Sequence, residues 1–414
     1  MKKFITMLLA ASLAVCSVGA LTACGKNEKV AALITLHGDN SSYDKNFIDA
    51  FKAACEAKGL SKKQYTIVSN IPEEGDDCYN KAAGFADEGY KVVFADSFGH
   101  EANMLKAAKE YKDTEFCHAT GTMAHTENVA NFHNAFASIY EGRYLAGVAA
   151  GLKLNELGGA HKMGYVGAYP YAEVVSGMTS FFLGAKSVCP DVTMEVSYTY
   201  SWYNETAEKT AAEKLISHGA QLVSGHADSM GVPTACKNAG VPNVFYNGVN
   251  PNNDTFVIAS KINWQPYFEL MIDKAMGKDV VLPTDYTGTL ATGSVQVTAL
   301  GGAAAAGTQA KLDEVKAKLE NGTLKVFDCS KFTVRNAKAD TSAFSKANSI
   351  TMDANGHLTQ YKADVNTDAA FTPDTDVVEN GIFLESETSK RSAPYFDIII
   401  DGITIGEDTP AEEE

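Results

Sequence analysis

The sequence predicts an α/β protein of two lobes, each a parallel sheet flanked by helices. Three observations predict it. Short β-branched runs alternate with amphipathic helical stretches, which is the succession of a parallel sheet with helical crossovers. The alternation runs through residues 30–119, gives way to one long helical pattern, and restarts at residue 163. About 390 residues remain after the N-terminal leader, more than a single hydrophobic core usually holds.

The elements follow in order. Val30–Leu36 reads as a strand ending in a polar loop, His37–Asp44. Ser41-x-x-Asp44 has the spacing of a capping box and opens a helix. Phe47, Phe51 and Ala54 form its apolar stripe, and Gly59 closes it. Tyr65–Ser69, Lys91–Ala95 and Glu115–Ala119 read as strands, separated by helices at Asp76–Glu88 and Glu101–Tyr111. The long helical pattern is Ser138–Lys153. In the second unit, strands at Met163–Val166, Met194–Tyr198, Leu222–Ser224 and Val244–Tyr246 alternate with helices at Ala172–Val188, Glu205–Ser217 and Val232–Ala239.

The remainder is less regular. Phe256–Ile262 reads as a strand, Trp264–Met276 and Gln309–Leu319 as helices, Leu324–Phe327 as a strand, and Thr351–Gln360 as a hairpin around Asn355-Gly356. The expected first lobe is 30–137 with a return at 264–307. The second is 138–263 with 308–405, and 406–414 is an acidic tail.

The N-terminus reads as an address. Lys2 and Lys3 precede Phe4–Leu21, which carries no charge. A basic start, an apolar run and small residues at a cut site are the layout of a signal peptide, here 1–23. Leu21-Thr22-Ala23-Cys24 resembles the bacterial lipobox, where the cysteine after the cut is acylated. Cys24 is therefore the expected lipid anchor, and 24–29 a tether to an extracytoplasmic domain. Several acyl chains hold a protein firmly, at about 0.8 kcal/mol per buried methylene. A retained membrane helix is the competing reading, but the run is at the short end for spanning a bilayer.

Composition narrows the partners. The formal charge is −16, and the leader takes two lysines with it. Such a chain is repelled by phosphate backbones, so nucleic acid is not an expected partner. Cys55, Cys78, Cys117, Cys189, Cys236 and Cys329 are scattered, without a C-x-x-C pair. They read as buried thiols better than as a metal site. His118, His125 and His133 have poor metal-ligand spacing. No nucleophile elbow, phosphate loop, dinucleotide fingerprint or zinc-protease motif is present, so an enzyme has no motif support. His226-Ala227-Asp228-Ser229 is a run of neighbours, whereas a triad is assembled from separate loops.

In open α/β sheets ligands bind at the carboxyl ends of strands. The loops there are His37–Asp44, Asp96-Ser97-Phe98-Gly99, Thr120-Gly121-Thr122, Ala168-Tyr169-Pro170, Tyr200-Ser201-Trp202, His226–Ser229 and Asn247-Gly248. Tyr43, Phe47, Phe98, Trp202, Tyr203 and Trp264 lie at or beside them. A flat ligand fits between two such rings, with amides and carboxylates reading its edge. Taken singly, each ring is as well explained by core packing, and Phe47 better so, because it lies on the apolar helix stripe.

Several stretches are similar to the basic membrane protein family. These are lipid-anchored substrate-binding proteins of ABC transporters that bind purine nucleosides and related compounds. Asp44-Lys45-Asn46-Phe47 resembles the family's D-K-S-F stretch, Tyr140–Gly147 its helix into the second lobe, and Met163–Ala168 the first strand there. The most specific match runs through Ser201-Trp202-Tyr203-Asn204, Glu208, Leu215–Ala220 and His226-Ala227-Asp228-Ser229. The resemblance covers about residues 30–335.

It implies a type I periplasmic-binding-protein-like fold and closure about a hinge. The implied partners are an ABC permease and its ATPase subunits, with the chain itself a monomer needing no cofactor. It implies that Phe47 stacks on a base, that Asp44 supports the loop, and that Trp202, Asp228 and the Asn247 loop come from the second lobe. Ser97, Gly121 and Trp264 complete the expected ligand set.

Two departures bear on the ligand. Thr120-Gly121 and Gly248-Val249-Asn250 stand where nucleoside-binding members carry aspartates for the ribose. An unpaired diol in a closed site loses hydrogen bonds. The expected ligand is thus a purine-like base, with a nucleoside as the alternative. A surface sensor using the same pocket and an adhesin with a vestigial one are further readings. Residues 336–400 have no counterpart in the family core.

Overall fold

The computed structural model describes residues 28–248, 254–335, 350–365, 374–386 and 390–406. The expected signal peptide, Cys24, Val249, Asn250 and the tail beyond residue 406 lie outside these residues.

The first unit runs β1 (Ala31–Ile34), α1 (Ser42–Ala57), β2 (Tyr65–Val68), α2 (Asp77–Asp87), β3 (Val92–Ala95), α3 (Glu101–Glu110), β4 (Glu115–Ala119), α4 (Ala124–Glu127) and β5 (Phe132–Ala137). The second runs α5 (Ile139–Leu157), β6 (Lys162–Gly167), α6 (Ala172–Lys186), β7 (Thr193–Tyr198), α7 (Glu205–Ser217), β8 (Leu222–His226), α8 (Gly231–Ala239), β9 (Asn243–Tyr246) and β10 (Phe256–Ile262). Then come α9 (Gln265–Ala275), β11 (Asp285–Gly288), β12 (Val295–Val297) and α10 (Thr308–Glu320). The C-terminal part holds β13 (Ile350–Met352), β14 (Leu358–Ala363), β15 (Thr375–Asp376), β16 (Val378–Glu379), β17 (Ile382–Phe383) and β18 (Ile403–Ile405).

Two sheets organise the molecule. The first has the order β11-β5-β4-β3-β1-β2 and is parallel throughout. The second has the order β12-β10-β9-β8-β6-β7-β18 and is parallel except for the β10–β12 pair. The chain passes between them at Ser138, at Asn263-Trp264, and between β11 and β12. These crossings are tied together: Ser138 N–H donates to Gly288 O at 2.7 Å and Asn263 N–H to Ser294 O at 2.7 Å. Leu290 N–H donates to Glu141 Oε2 at 2.8 Å.

Local chemistry explains the elements that frame the cleft. Ser41 caps α1, its side chain accepting the Asp44 N–H at 3.2 Å. The reciprocal half of the expected box is absent. Asp44 instead accepts the His37 and Gly38 amides, at 2.6 and 2.7 Å, and so fastens the loop to the helix. In α1 Phe47, Ile48, Phe51, Ala54 and Cys55 are buried. Full burial of each larger side chain contributes roughly 1.5–3 kcal/mol. Lys58 reaches Asp273 and Glu269, at 2.9 and 3.2 Å, which holds α9 against α1. In the second lobe α5 and α6 approach closely at glycines. A Cβ on Gly147 would lie 2.0 Å from Phe181 O, and one on Gly184 2.1 Å from Tyr144 O.

Three sequence expectations need correction or addition. Leu324–Phe327 is not a strand: its chain turns to bury Val326 and Phe327, and only Asp328 makes an isolated bridge, to Ile382. The expected first-lobe return at 264–307 is too long, because Val295–Val297 pairs with β10 in the second sheet. Phe132–Ala137 is a strand that periodicity missed. Its His133 and Asn134 read as polar, yet both are buried and partnered. The six cysteines from Cys55 to Cys329 are free and buried.

Candidate ligand site

The carboxyl ends of both sheets face one another across an interlobe cavity. The space among its lining residues is about 420 Å³, part of it continuous with solvent. Leu36, Tyr43, Asp44, Ser97, Phe98 and Thr120 line it from the first lobe, and Glu173, Trp202, His226, Asp228 and Tyr246 from the second. Direct contacts hold the lobes together over it. Ser42 N–H and Oγ both donate to Asp228 O at 3.1 Å, and Asn46 Nδ2 donates to Ile262 O at 2.5 Å. His37 and Tyr203 meet ring to ring at 5.5 Å.

Three rim loops carry a non-glycine residue in the left-handed region: Thr120 (φ 65°), Tyr200 (φ 52°) and Asn247 (φ 48°), after β4, β7 and β9. Such conformations cost of order 1–3 kcal/mol and cluster where function demands a particular loop shape.

The aromatic residues divide into two groups. Tyr43 faces the cavity, and its hydroxyl donates to Asp96 O at 3.0 Å. Trp202 faces it from the other lobe, packed against Tyr169 at 5.2 Å and Tyr171 at 6.1 Å. Phe47 and Trp264 do not line it. They stack on each other at 4.3 Å, with Phe94 and Phe268 around them, and are fully buried. The expected stacking role of Phe47 is corrected for a geometric reason. Positions 43 and 47 share one face of α1, their rings 4.9 Å apart; Tyr43 in the first turn reaches the cavity, whereas Phe47 one turn further on is covered by Trp264.

The other expected residues are placed as follows. Asp44 and Asp228 line the cavity. Ser97 does too, its Oγ donating to Glu73 Oε1 at 2.5 Å. Gly121 lies behind the wall: its N–H donates to Asn134 Oδ1 at 2.7 Å, and a Cβ there would fall 2.2 Å from Glu101 Oε1. Asn247 lies in a neighbouring groove with Asn40, Lys45, Asn46, Lys261 and Asn263, and its Oδ1 accepts the Ile262 N–H at 3.1 Å. Sequence reasoning did not include Glu173, His226 or Tyr246 in the ligand set, although it placed the His226–Ser229 loop at the rim. Their common signal is position: each ends a strand of the sheets or begins the helix after one.

The electrostatics are acidic. Burial raises the Asp96 carboxyl well above the usual range, and the adjoining Asp44 adds to this. Asp44 itself is raised by burial, against hydrogen bonds from Asp96 and the His37 and Gly38 amides. Asp228 is raised by burial and then by Asp44 and Glu208. Burial keeps Tyr43 and Tyr246 as neutral phenols and lowers His226, so its imidazole is neutral. Beneath the floor, fully buried Arg143 donates to Tyr165 Oη and Ser224 Oγ, each at 3.0 Å, and Tyr165 Oη meets His226 Nδ1 at 2.8 Å. The cavity offers flat apolar walls, acceptor oxygens and carboxyl groups whose burial favours the protonated form.

Among the described residues, one group brings three metal-ligand atoms within 4.8 Å: His161, Cys189 and Asp191. It sits at the amino end of β6, away from the cavity, and His161 is already paired with Asp191 at 2.9 Å.

The comparisons with known proteins agree with this architecture. The family model for ABC transporter substrate-binding proteins of the PnrA-like type, Bmp, matches residues 27–325. A purine-binding protein of Brucella abortus (strain 2308) is 35% identical over 228 residues, 55% of this chain and 61% of that protein. A Haloferax volcanii protein, named as a candidate ABC transporter glucose-binding protein, TsgA13, is 32% identical over 186 residues, 44% of this chain and 46% of its own. The chain thus spans less than two thirds of either relative. An ABC transporter solute-binding protein from Conexibacter woesei superposes with a TM-score of 0.59 at 21% identity, covering 72% of this chain and 98% of its own, which shows the shared fold.

Proposed function

The chain belongs to the PnrA-like Bmp family of ABC transporter substrate-binding proteins, and we propose that it captures a purine-like nucleobase between its lobes for delivery to a permease. The carrying observation is the interlobe cavity, with Tyr43 and Phe98 on one side, Trp202 and Tyr246 on the other, and carboxyl groups at the edges. A purine presents a flat π face, N–H donors and lone-pair ring nitrogens. Stacking on an aromatic side chain contributes roughly 1–3 kcal/mol per base. Hydrogen bonds to charged groups add roughly 1.5–3 kcal/mol each. Asp44 and Glu173 offer acceptor oxygens, and a protonated Asp228 both donates and accepts. No bond is made or broken. The ligand bridges the lobes, and the closed form is what the permease and its ATPase subunits would recognise.

The relative from Brucella abortus is named as a purine-binding protein, which supports this ligand class. One observation favours a nucleoside as the second reading. The groove beside the cavity shares Asp228 with it and carries the amides of Asn40, Asn46, Asn247 and Asn263, which suit sugar hydroxyls. In the cell, Cys24 would anchor the chain on the outer face of the membrane. Among the described residues no helix is long and apolar enough to cross one. Cys24→Ala should release the protein into the medium with unchanged ligand affinity.

The deciding experiment is thermal denaturation of the soluble domain, refolded from denaturant to strip carried-over ligand, against purine bases, their nucleosides and glucose. A ligand that binds the folded state raises the midpoint by mass action. A shift with bases alone supports the proposal. A shift mainly with nucleosides moves the reading to the groove. Silence with both purine classes discards the purine assignment, and a response to glucose alone would replace it.

A further inference from the structure

Residues 390–396 lie beyond the stretch that the family model matches. They pair in neither sheet, yet they pack behind the cavity wall. Ser392 is fully buried. Its N–H donates to Asp285 Oδ2 at 2.9 Å and its Oγ to Asp285 Oδ1 at 2.5 Å, on the edge strand of the first sheet. Ser392 Oγ also accepts from Asn134 Nδ2 at 2.9 Å. Asn134 Oδ1 in turn takes the N–H of Gly121, whose neighbour Thr120 lines the cavity.

The other end of the same loop is held by Glu101, which accepts the Met123 N–H at 2.6 Å. Buried Arg391 is a positive charge acting on both Glu101 and Asp285. The segment then passes to the other lobe, where β18 lies parallel to β7.

We infer that residues 390–396 form a positioning strap for the cavity. Ser392, acting through Asn134, holds the Thr120–Met123 loop in its ligand-facing shape, and the chain that follows runs on to β18 in the other sheet. The loop has little freedom to find that shape unaided. Thr120 sits at φ 65°, and Gly121 is confined between Glu101 and His118, whose atoms would lie 2.2 and 2.6 Å from an added Cβ. The inference rests on the cavity being the ligand site.

Hydrogen exchange on the whole protein tests it without any ligand. Ser392→Ala should speed exchange at the Gly121 amide while leaving the β18 amides at wild-type rates, and Ser392→Thr, which keeps the hydroxyl, should restore protection. In parallel, Ser392→Ala should weaken the base identified by the ligand panel roughly three- to tenfold, the scale of one hydrogen bond. Unchanged protection at Gly121 in Ser392→Ala overturns the inference. So does faster exchange spread equally over both sheets, which would mark a merely structural residue. A panel to which the wild type does not respond removes the purine reading and leaves the exchange result to decide the strap.

Discussion

Tyr43 and Phe47 lie one turn apart on α1, and Trp202 and Trp264 are the molecule's two tryptophans. Together they make two aromatic regions of opposite kind. Phe47 and Trp264 stack on each other, sealed from solvent, and join α1 to α9. Tyr43 and Trp202 belong to different lobes and line the two sides of the interlobe cavity. The rings are alike in chemistry, and only their place on the helix or loop separates them. The buried pair packs α1 against the start of α9. The open pair leaves apolar faces that a flat ligand would cover, so an aromatic near a strand end is evidence of a ligand only once its face is known.

The comparison breaks most severely at Phe47. Phe47→Ala should destabilise the protein by about 3–5 kcal/mol, because it empties a packed position. Chemical denaturation should show this with no ligand added. A loss below about 1 kcal/mol would mean that the ring is not core and would return it to the ligand site.

A second effect should be nearly as large and comes from buried acids. Burial raises Glu101, Glu208 and Glu385 each to about 7 from a usual 4.5. The native state then binds more protons than the unfolded chain between those values. Stability is therefore fully present below about pH 4.5 and is lost as pH rises through 7, each tenfold change in proton affinity contributing about 1.4 kcal/mol. For these groups the ligand-free protein should melt at a higher temperature at pH 5 than at pH 8. Glu208→Gln should flatten that dependence, since Glu208 receives long 3.3 Å bonds from the Asn204 and Ser229 amides.

The open pair should respond in the opposite way to Phe47. Tyr43→Ala and Trp202→Ala should each cost about 1–3 kcal/mol of base binding and less stability than Phe47→Ala. Calorimetric titration of the stripped protein measures the first quantity. Equal affinity in both variants would sink the stacking model. The smallest expected effect is that of Ser41→Ala, which removes the cap of α1 and should cost about 1 kcal/mol of stability. It sharpens the comparison, because the cap sets where the helix begins and so which way position 43 points.

Much of the fold was legible. Glu115–Ala119, Glu205–Ser217 and Phe256–Ile262 agree with the sequence reading residue for residue. Their strand or helix periodicity is uninterrupted, and local signals suffice there. Phe132–Ala137 escaped because buried polar residues break the apolar pattern. Asn134 and His133 are tolerated inside only through partners as remote as Ser392 and Pro283. Of the residues expected at the site, Asp44, Ser97, Trp202 and Asp228 line the cavity, because loops after parallel strands share one end of a sheet. Phe47 and Trp264 were assigned to it by proximity in sequence, which does not specify a direction in space.

The amino-acid sequence alone determined the class of the molecule: alternating strands and helices in two units, rim loops at the strand ends, and an acidic chain with an export-like leader. These follow from local periodicity, capping chemistry and composition, which act over a few residues at a time. Tertiary structure alone decided which aromatic faces the cavity and which buried carboxyls share it. It also brought residues 390–396 behind the Thr120–Met123 loop. Those outcomes depend on contacts between residues far apart in the chain, such as Asn134 and Ser392, which are separated by 258 positions, and no short-range pattern encodes them.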